Sequence, residues 1–421
     1  MMQLHDFEKS VLDGDIEAIH AFIDRAEQAE EYDFLYDAAT VLIDYGFIGQ
    51  ADHIYEGLLK LMPNEAQLKI DRAGTLLELG EEDEALLLLT DISPDDEEYV
   101  QALMALADYY QMIGMAEAAM QKVKEALSLS PYEPIIRFAY AELLLDAGRY
   151  LEAATGYKEL HDEGHNEIAG TNILHRLAET YSAGAAYEEA LPYYEALLKK
   201  EVSPDALFGA AFAYYQSGHL ERAIGLLDQL AEIDPDYFSA YMLAGQVQAQ
   251  LGNDQKAYEW FLSGIKRDEF DKELRLSAAK SALKLGMPNE AEMHLKESLA
   301  LDPEYLEALI TLASLYNERE QDEELLQLLE DVDADQFDIP LIDAFKAYAL
   351  ERQEQFDDAY VSYSKAYAKM TDDPSFLDRY IRFLLEEGKR QEAIEVINEL
   401  LKHGEHEEWT VFLEMLNDEE V

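Results

Sequence analysis

A small residue returns about every 34 positions along almost the whole chain. The segments around it share one form, as in LGEEDEAL, SGHLERAI and LGNDQKAY: a glycine, four residues, then usually alanine. The successive intervals are 34, 34, 34, 37, 33, 34, 34, 34, 34 and 34 residues. A period of this length predicts stacked supersecondary units in place of a single globular core. The aligned positions are Ala51, Ala85, Ala119, Ala153, Ala190, Ala223, Ala257, Ala291, Leu325, Ala359 and Ala393.

A second small residue precedes the first by twelve positions, and ten of its eleven occurrences are Ala or Gly. Two small side chains at a fixed offset indicate two helices that cross closely. The glycine between them is where the first helix ends, because a helix often ends with a residue in the left-handed conformation. The remaining inner positions carry large apolar side chains, and a proline often closes the second helix. The large side chains include Tyr55, Leu89, Tyr157, Tyr194, Phe261 and Tyr363, and the prolines are Pro63, Pro131, Pro235 and Pro303.

These residues resemble the tetratricopeptide repeat, a helix–turn–helix unit with a 34-residue period and small, aromatic and proline positions. The resemblance covers residues 31–404 as eleven tandem repeats. It implies an all-α, right-handed superhelical α-solenoid. The chain departs from the pattern where Leu or another residue replaces the tryptophan of the first helix. It departs again where Glu320 and Glu354 replace the turn glycine, so we expect the repeats there to be the least regular.

The repeat array is flanked by two shorter segments. Residues 1–30 read as a degenerate N-terminal helix pair, and residues 405–421 as a C-terminal capping helix with an acidic tail. A cap is expected because the last repeat of such an array otherwise exposes its apolar face. The single 37-residue interval places an insertion near residues 160–170. We expect this insertion to lengthen one connection.

The charge of the chain restricts its partners. There are 90 acidic and 32 basic residues, for a formal charge of −58. This charge argues strongly against binding of nucleic acid, because phosphate neutralisation needs clustered Lys and Arg. Docking on an anionic membrane surface is disfavoured for the same reason. Two explanations of the acidity stay open: solubility with mutual repulsion between copies, or a basic partner.

The sequence does not indicate a secreted or membrane-inserted protein. The N-terminus has no basic region followed by an apolar run. No stretch reaches the roughly 18 apolar residues of a transmembrane helix. There is no cysteine, which excludes disulfides and thiol catalysis. The overall pattern is similar to the long, acidic, cytoplasmic tetratricopeptide repeat proteins of Bacillus and related bacteria, which implies a cytoplasmic location.

The sequence contains no strong motif for a metal site, a phosphate-binding loop or a catalytic nucleophile. His161 and His165 have the spacing of a helical metal pair, but Gly164 and the insertion place them in a loop and no third ligand is indicated. No Gly-rich phosphate loop is found, and no serine lies in a G-x-S-x-G elbow. We therefore predict no metal site, no cofactor and no enzymatic activity.

The resemblance implies that five positions of each first helix face a concave groove. In the first five repeats these positions carry acids and small polar residues and no Lys or Arg: Asp33, Asp44, Glu78, Asp108, Glu142, Asp146 and Glu179. This disfavours the two-carboxylate clamp with which some members of the family bind chaperone tails. Arg352 and Arg382 follow in later repeats.

The centre of the predicted groove is aromatic and amide-rich. We predict partner-binding residues there, in which rings supply buried area, glutamines bond a peptide backbone and lysines meet a carboxylate. A second possibility stays open, in which the rings only pack between neighbouring helices. The predicted residues are Phe208, Phe212, Tyr215, Gln216, Met242, Gln246, Gln250, Lys280 and Lys284.

The function predicted from the sequence is a non-enzymatic scaffold or adaptor that binds a peptide or a folded protein in the groove. One alternative is a quality-control or regulatory adaptor that uses both the groove and the outer face. Another is an enzyme with an unrecognised site in the groove.

Overall fold

A computed structural model describes residues 3–330, 332, 339–404 and 406–419, and the side chains of these residues up to 415. Twenty-five α-helices and two very short strands lie within this part of the chain. The all-α class predicted from the repeat is confirmed. The right-handed superhelix that the resemblance implies stays a prediction.

Most helices follow one another as a first and a second helix of each repeat. The chain begins with α1 (Leu4–Leu12) and α2 (Ile16–Gln28) and ends with α25 (Glu407–Glu419). The first helices are α3 (Tyr32–Asp44), α5 (Ala66–Leu79), α7 (Tyr99–Met112), α9 (Pro134–Asp146), α11 (Ile173–Ala183), α13 (Pro204–Gln216), α15 (Phe238–Gln250), α17 (Lys272–Lys284), α19 (Leu306–Glu318), α21 (Pro340–Arg352) and α23 (Pro374–Glu386). The second helices are α4 (Ile48–Leu61), α6 (Glu82–Thr90), α8 (Ala116–Leu129), α10 (Tyr150–Asp162), α12 (Tyr187–Lys200), α14 (Leu220–Ile233), α16 (Asp254–Ile265), α18 (Pro288–Leu301), α20 (Asp322–Leu329), α22 (Phe356–Tyr367) and α24 (Arg390–Leu400).

These bounds are compatible with the predicted division into 1–30, 31–404 and 405–421, which stays a prediction. Residues 420–421 of the predicted acidic tail lie outside the described residues. The chain forms two compact units, Met1–His219 and Leu220–Val421. We call them the N-terminal unit and the C-terminal unit. The sequence did not predict this division, because no linker composition marks it.

The repeat register is confirmed by burial. All eleven aligned second-helix positions, from Ala51 to Ala393, have no exposed surface. The large inner side chains predicted from the repeat, such as Tyr157 and Tyr363, are buried as well. Each unit contains a series of apolar clusters along the chain, as expected when each repeat packs on its neighbours.

The turn between the two helices of a repeat keeps a left-handed residue even where glycine is missing. Gly218 has a φ of 77°, and Glu320 and Glu354 have φ values of 52° and 59°. The expected irregularity is therefore absent from these turns themselves. It is present in the helix after Glu320, since α20 has eight residues. Ala185 fills the same position in the N-terminal unit, with a φ of 57°.

The insertion near residues 160–170 folds into a two-stranded antiparallel hairpin. Its strands are β1 (Glu167–Ile168) and β2 (Thr171–Asn172), joined by Ala169 and Gly170 at positive φ. Ile168 packs into the apolar cluster around Tyr157. The Asn172 side chain accepts the His175 backbone N–H and caps α11. The insertion thus lengthens the connection, as expected, and also contributes to the core.

Two general properties bear on function. Within the described residues no helix is long and apolar enough to cross a bilayer. In the same part of the chain, no three His, Asp or Glu side chains are grouped so that they hold a metal ion.

Candidate binding surfaces

The helix α13 divides its rings between packing and exposure. Ser203 caps the helix by accepting the Ala206 backbone N–H, and Pro204 occupies its first turn. Leu207, Ala211 and Tyr214 are buried, as the repeat register requires. This side of the helix is therefore buried.

A second stripe on α13 stays partly accessible. Phe208, Phe212 and Tyr215 are half-buried, and Gln216 is exposed. The Phe212 ring meets Tyr187 edge to face, with centroids 5.8 Å apart. The spacing i, i+4 and i+7 places the three rings along one side of the helix. The rings are thus partly packed and partly exposed, which agrees in part with each hypothesis, packing between helices and partner binding.

The predicted residues of α15 belong to the C-terminal unit. Gln246 and Gln250 lie one turn apart and both are exposed. Met242 is half-buried, and its sulfur lies 3.6 Å from the Ser277 hydroxyl of the next first helix, α17. The two amides are available to bond a peptide backbone, whereas Met242 holds the two helices together.

The predicted lysines of α17 are exposed but already have acidic neighbours. The Lys280 ammonium lies 2.5 Å from a Glu307 carboxylate oxygen. The Lys284 ammonium lies 3.7 Å from an Asp254 oxygen. Such exposed pairs are worth about 0–1 kcal/mol, so a ligand carboxylate can compete for either lysine.

The acidic face predicted for the early repeats is partly neutralised by a residue that the sequence reasoning missed. Arg176 of α11 donates through Nε to Glu142 of α9 at 2.8 Å, and it also pairs with Glu179. The Tyr157 hydroxyl donates to the same Glu142 carboxylate. The hydrogen bond that Arg176 donates to Glu142 raises the pKa of Arg176. Arg176 is not one of the groove positions predicted for α11, so the prediction for those positions stands, but this cation lies against two of their acids.

The missed signal is the repeat period itself. Arg176 follows Glu142 by 34 residues, which places the two on adjacent first helices. Other pairs keep the same offset within a residue. Gln111 donates to Asp146 at 2.9 Å, and the Tyr36 hydroxyl donates to Asp71 at 2.8 Å. Polar side chains one period apart thus link successive first helices in the N-terminal unit.

Among the described residues, the carboxyl of Asp108, one of the predicted acids, has no hydrogen-bonded partner one period away. Desolvation by the surrounding atoms raises its pKa. A carboxylate held in these conditions is stabilised by an added positive charge. Asp108 is exposed, so its carboxyl is accessible to a ligand.

The second helices form clefts that the sequence did not predict. In the C-terminal unit a cleft of about 560 Å³ opens over α15, between α14 and α16. We call it the basic cleft, because three of its lining side chains are cations. It is lined by Asp228, Tyr241, Gln248, Lys256, Glu259, Trp260, Ser263, Lys266 and Arg267.

A matching cleft of about 410 Å³ lies in the N-terminal unit, over α9 and between α8 and α10. We call it the acidic cleft. The guanidinium of Arg137, its one cation, is paired with Glu159 at 3.2 Å and with Glu163 at 2.5 Å. The hydrogen bond from Arg137 lowers the pKa of Glu163. The cleft is lined by Leu127, Pro131, Arg137, Tyr140, Ala141, Leu144, Glu152, Thr155, Gly156 and Glu159.

Comparison with known proteins agrees with the repeat register and the all-helical architecture. Family models of YpiA-like tetratricopeptide repeats match residues 111–165 and, for the C-terminal repeats, 340–404. A general tetratricopeptide repeat model matches residues 181–247. The fold is thus that of a tetratricopeptide repeat protein, a class that generally mediates protein–protein interactions.

The chain belongs to the YpiA-like family of tetratricopeptide repeat proteins. It is 36% identical over 383 residues to the TPR repeat-containing protein YpiA of Bacillus subtilis, covering 91% of this chain and 90% of that protein. A CTR9 homologue of Arabidopsis thaliana is 23% identical over 62% of this chain and 25% of its own length. The crystal structure of the C-terminal part of a TPR repeat-containing protein from Cytophaga hutchinsonii aligns with a TM-score of 0.49. That alignment has 16% identity and covers 57% of this chain and 98% of the other.

Proposed function

We propose that the chain is a non-enzymatic scaffold or adaptor that binds a peptide or protein partner through its first helices. One observation carries the proposal. Phe208, Phe212 and Tyr215 pack in part and stay half-exposed along one side of α13, while other residues form its buried side. Partly exposed rings of this kind are common at protein interaction sites.

The neighbouring predicted residues support the proposal in each unit separately. Gln216 is exposed beside the rings in the N-terminal unit. In the C-terminal unit, Gln246 and Gln250 offer amides, and the weakly paired Lys280 and Lys284 offer cations. These are groups that bind and orient a chain. The polar groups described on the first helices bond to neighbouring helices, as Glu142 does with Arg176, and they are not arranged as a nucleophile with its base.

The proposal is tested by photo-crosslinking from chosen positions in cells that express the protein. A photoreactive amino acid replaces Phe212 in one variant, Gln246 in a second and the exposed Gln229 of the second helix α14 in a third. We expect a common crosslinked partner from the two first-helix positions and a weaker product from Gln229. Equal crosslinking from all three positions would contradict a first-helix binding face.

The triple variant Phe208→Ala, Phe212→Ala and Tyr215→Ala then checks the rings. We expect it to lose the common partner while its far-UV circular dichroism is unchanged. The matched control is Tyr132→Ala with Phe270→Ala, which removes two highly exposed rings in loops. Retention of the partner by the triple variant would remove the rings from the proposal.

A second candidate is a quality-control or regulatory adaptor that also uses the outer face. The clefts between second helices favour it, because they offer binding positions away from the first helices. Under this candidate, the Gln229 position crosslinks to a set of partners that differs from the set captured at Gln246.

A further inference from the structure

We propose that the basic cleft is a second docking site, for an acidic linear peptide segment that carries an apolar side chain among its carboxylates. The site lies within the C-terminal unit, between the second helices α14 and α16. It is independent of the proposed binding to the first helices, because it has different residues and a different preferred charge.

Local charge is the first reason. The chain as a whole has a formal charge of −58. The lining of the cleft nevertheless contains three Lys or Arg against two Asp or Glu. Exposed charges are screened over a Debye length of about 8 Å at physiological ionic strength, so nearby groups decide what a cleft attracts. This part of the surface is therefore able to accept an anionic ligand despite the acidity of the chain.

The cations of the cleft are available. In the part of the chain that the structure describes, Lys256 and Lys266 have no carboxylate within ion-pair distance. Arg267 has one partner, Asp236, at 3.2 Å, and that carboxylate is 76% exposed. Exposed pairs contribute about 0–1 kcal/mol, which a ligand carboxylate can replace. By contrast, the Arg137 guanidinium of the acidic cleft is shared by two glutamates.

The cleft also has a place for an apolar side chain. The Trp260 ring lies 5.7 Å from the Tyr241 ring, centroid to centroid. The Tyr241 hydroxyl donates to the Pro235 carbonyl at 2.7 Å, which fixes that ring in the wall. Trp260 is half-exposed, and tryptophan is among the residues that most often dominate binding energy. The volume of about 560 Å³ is within the range of natural ligand clefts.

Two acids in the lining restrict how a peptide is placed. Desolvation raises the pKa of Asp228 on α14, so another carboxylate is unfavourable next to it. Glu259 on α16 accepts a hydrogen bond from Gln255 at 3.0 Å. Lys256 already interacts electrostatically with Asp228. The cleft therefore favours ligand carboxylates near Lys266 and Arg267, with the apolar side chain against Trp260.

Trp260 provides a direct readout. The chain has two tryptophans, and Trp409→Phe leaves Trp260 as the single indole. In this background we titrate the acetylated, amidated peptide Asp-Glu-Leu-Asp-Glu and follow the tryptophan fluorescence. The matched neutral peptide Asn-Gln-Leu-Asn-Gln and inorganic phosphate are titrated in parallel. We expect saturable binding of the acidic peptide alone, weakened by added salt.

Charge reversal locates the site. Lys256→Glu with Lys266→Glu is expected to weaken binding at least tenfold. Lys280→Glu with Lys284→Glu makes the same change in net charge on α17, outside the cleft, and is expected to change the affinity less than twofold. The α17 variant also separates the two proposals, because it alters the proposed first-helix surface and leaves the basic cleft intact.

Four outcomes overturn the proposal. The first is the absence of saturable binding of the acidic peptide. The second is equal binding of the neutral peptide, which means that charge is not recognised. The third is an equal loss in both charge-reversed variants, which means that net charge alone acts. The fourth is a phosphate effect equal to that of the peptide, which means that the cleft attracts any anion.

Discussion

The basic and acidic clefts occupy equivalent positions in two repeats but carry opposite charge. Their matching residues are separated by 104 positions, the distance from Ala153 to Ala257. Over this offset Lys256 corresponds to Glu152, and Arg267 corresponds to Glu163. The repeat therefore determines that a cleft exists between successive second helices, and the exposed residues around it determine what it attracts.

The two clefts also differ in where a glycine allows the helices to approach. In the acidic cleft, a Cβ added to Gly156 would lie 3.2 Å from the Ala141 Cβ. The equivalent positions in the basic cleft are Trp260 and Gly245. The glycine is thus on the second helix in the acidic cleft, at Gly156, and on the first helix in the basic cleft, at Gly245. This difference accompanies the large ring of Trp260 at the wall of the basic cleft.

The largest effect is expected for Gly245→Ala. A Cβ on Gly245 would lie 2.2 Å from a carbon of the buried Phe261 ring. Overpacking of this kind costs about 1–3 kcal/mol, and we expect the upper end because the ring is enclosed. The control is Gly225→Ala on α14, where no atom lies within 4 Å of the added carbon. Urea denaturation monitored by circular dichroism should show a loss for the first variant only.

Next in size is the loss of a buried tyrosine hydroxyl that both units use in the same way. Tyr157 donates to Glu142, and Tyr363 donates to Glu351 at 2.6 Å. In each unit an arginine of the next first helix pairs with the same glutamate. We expect Tyr157→Phe and Tyr363→Phe each to lower the free energy of unfolding by about 1.5–3 kcal/mol, the range for hydrogen bonds to charged groups. Unequal losses in thermal unfolding would show that the two networks are not equivalent.

The exchange of glycine positions is tested by Gly156→Trp, which copies Trp260 into the acidic cleft. Alone it brings two Cβ atoms to 3.2 Å, so we expect a loss of about 1 kcal/mol. Adding Ala141→Gly should remove this clash. If the double variant is less stable than the single variant in urea denaturation, the two positions do not compensate each other.

A pH dependence is expected from the C-terminal unit. His294 is 3% exposed, and burial lowers its pKa. In the unfolded chain its pKa is about 6.5, so the unfolded state takes up the proton first. The free energy of unfolding should therefore fall as the pH drops below about 6.5. Urea denaturation at pH 7.5 and 5.5 measures this loss, which should be smaller in His294→Gln.

The smallest effect is a gain at turns that lack glycine. Ala185 in the N-terminal unit and Glu354 in the C-terminal unit hold left-handed backbone at φ values of 57° and 59°. This conformation costs a non-glycine residue about 1–2 kcal/mol. Glycine avoids this cost, but it loses more conformational entropy on folding, which offsets part of the gain. We expect Ala185→Gly and Glu354→Gly each to raise the unfolding midpoint slightly. A lower midpoint in either variant would mean that its side chain contributes a contact that outweighs the strain.

Much of the fold was predictable because the same packing residues recur in each of the eleven repeats. The small residues at Ala141 and Ala153 identified the helix crossing, and the division of the α13 rings into a buried and a half-exposed stripe followed from the same register. The hairpin at Glu167–Asn172 was not predictable, since its strands have two residues each and depend on the packing of Ile168.

The binding surfaces were predictable only in part. Positions within one helix follow from its periodicity, so the exposure of Gln246 and Gln250 was expected. The Glu142–Arg176 pair needed a comparison across one period, and the basic cleft needed three helices at once. Surfaces of this second kind depend on how repeats stack, which the residues of a single repeat do not contain.

The difference between the two clefts is tested most directly by hydrogen–deuterium exchange of the full chain with and without the acidic peptide. We expect slower exchange within residues 254–267 and no change within the matching residues 150–163. Equal protection of both segments, or protection of 150–163 alone, would contradict the claim that exposed residues, and not the repeat itself, decide which cleft binds.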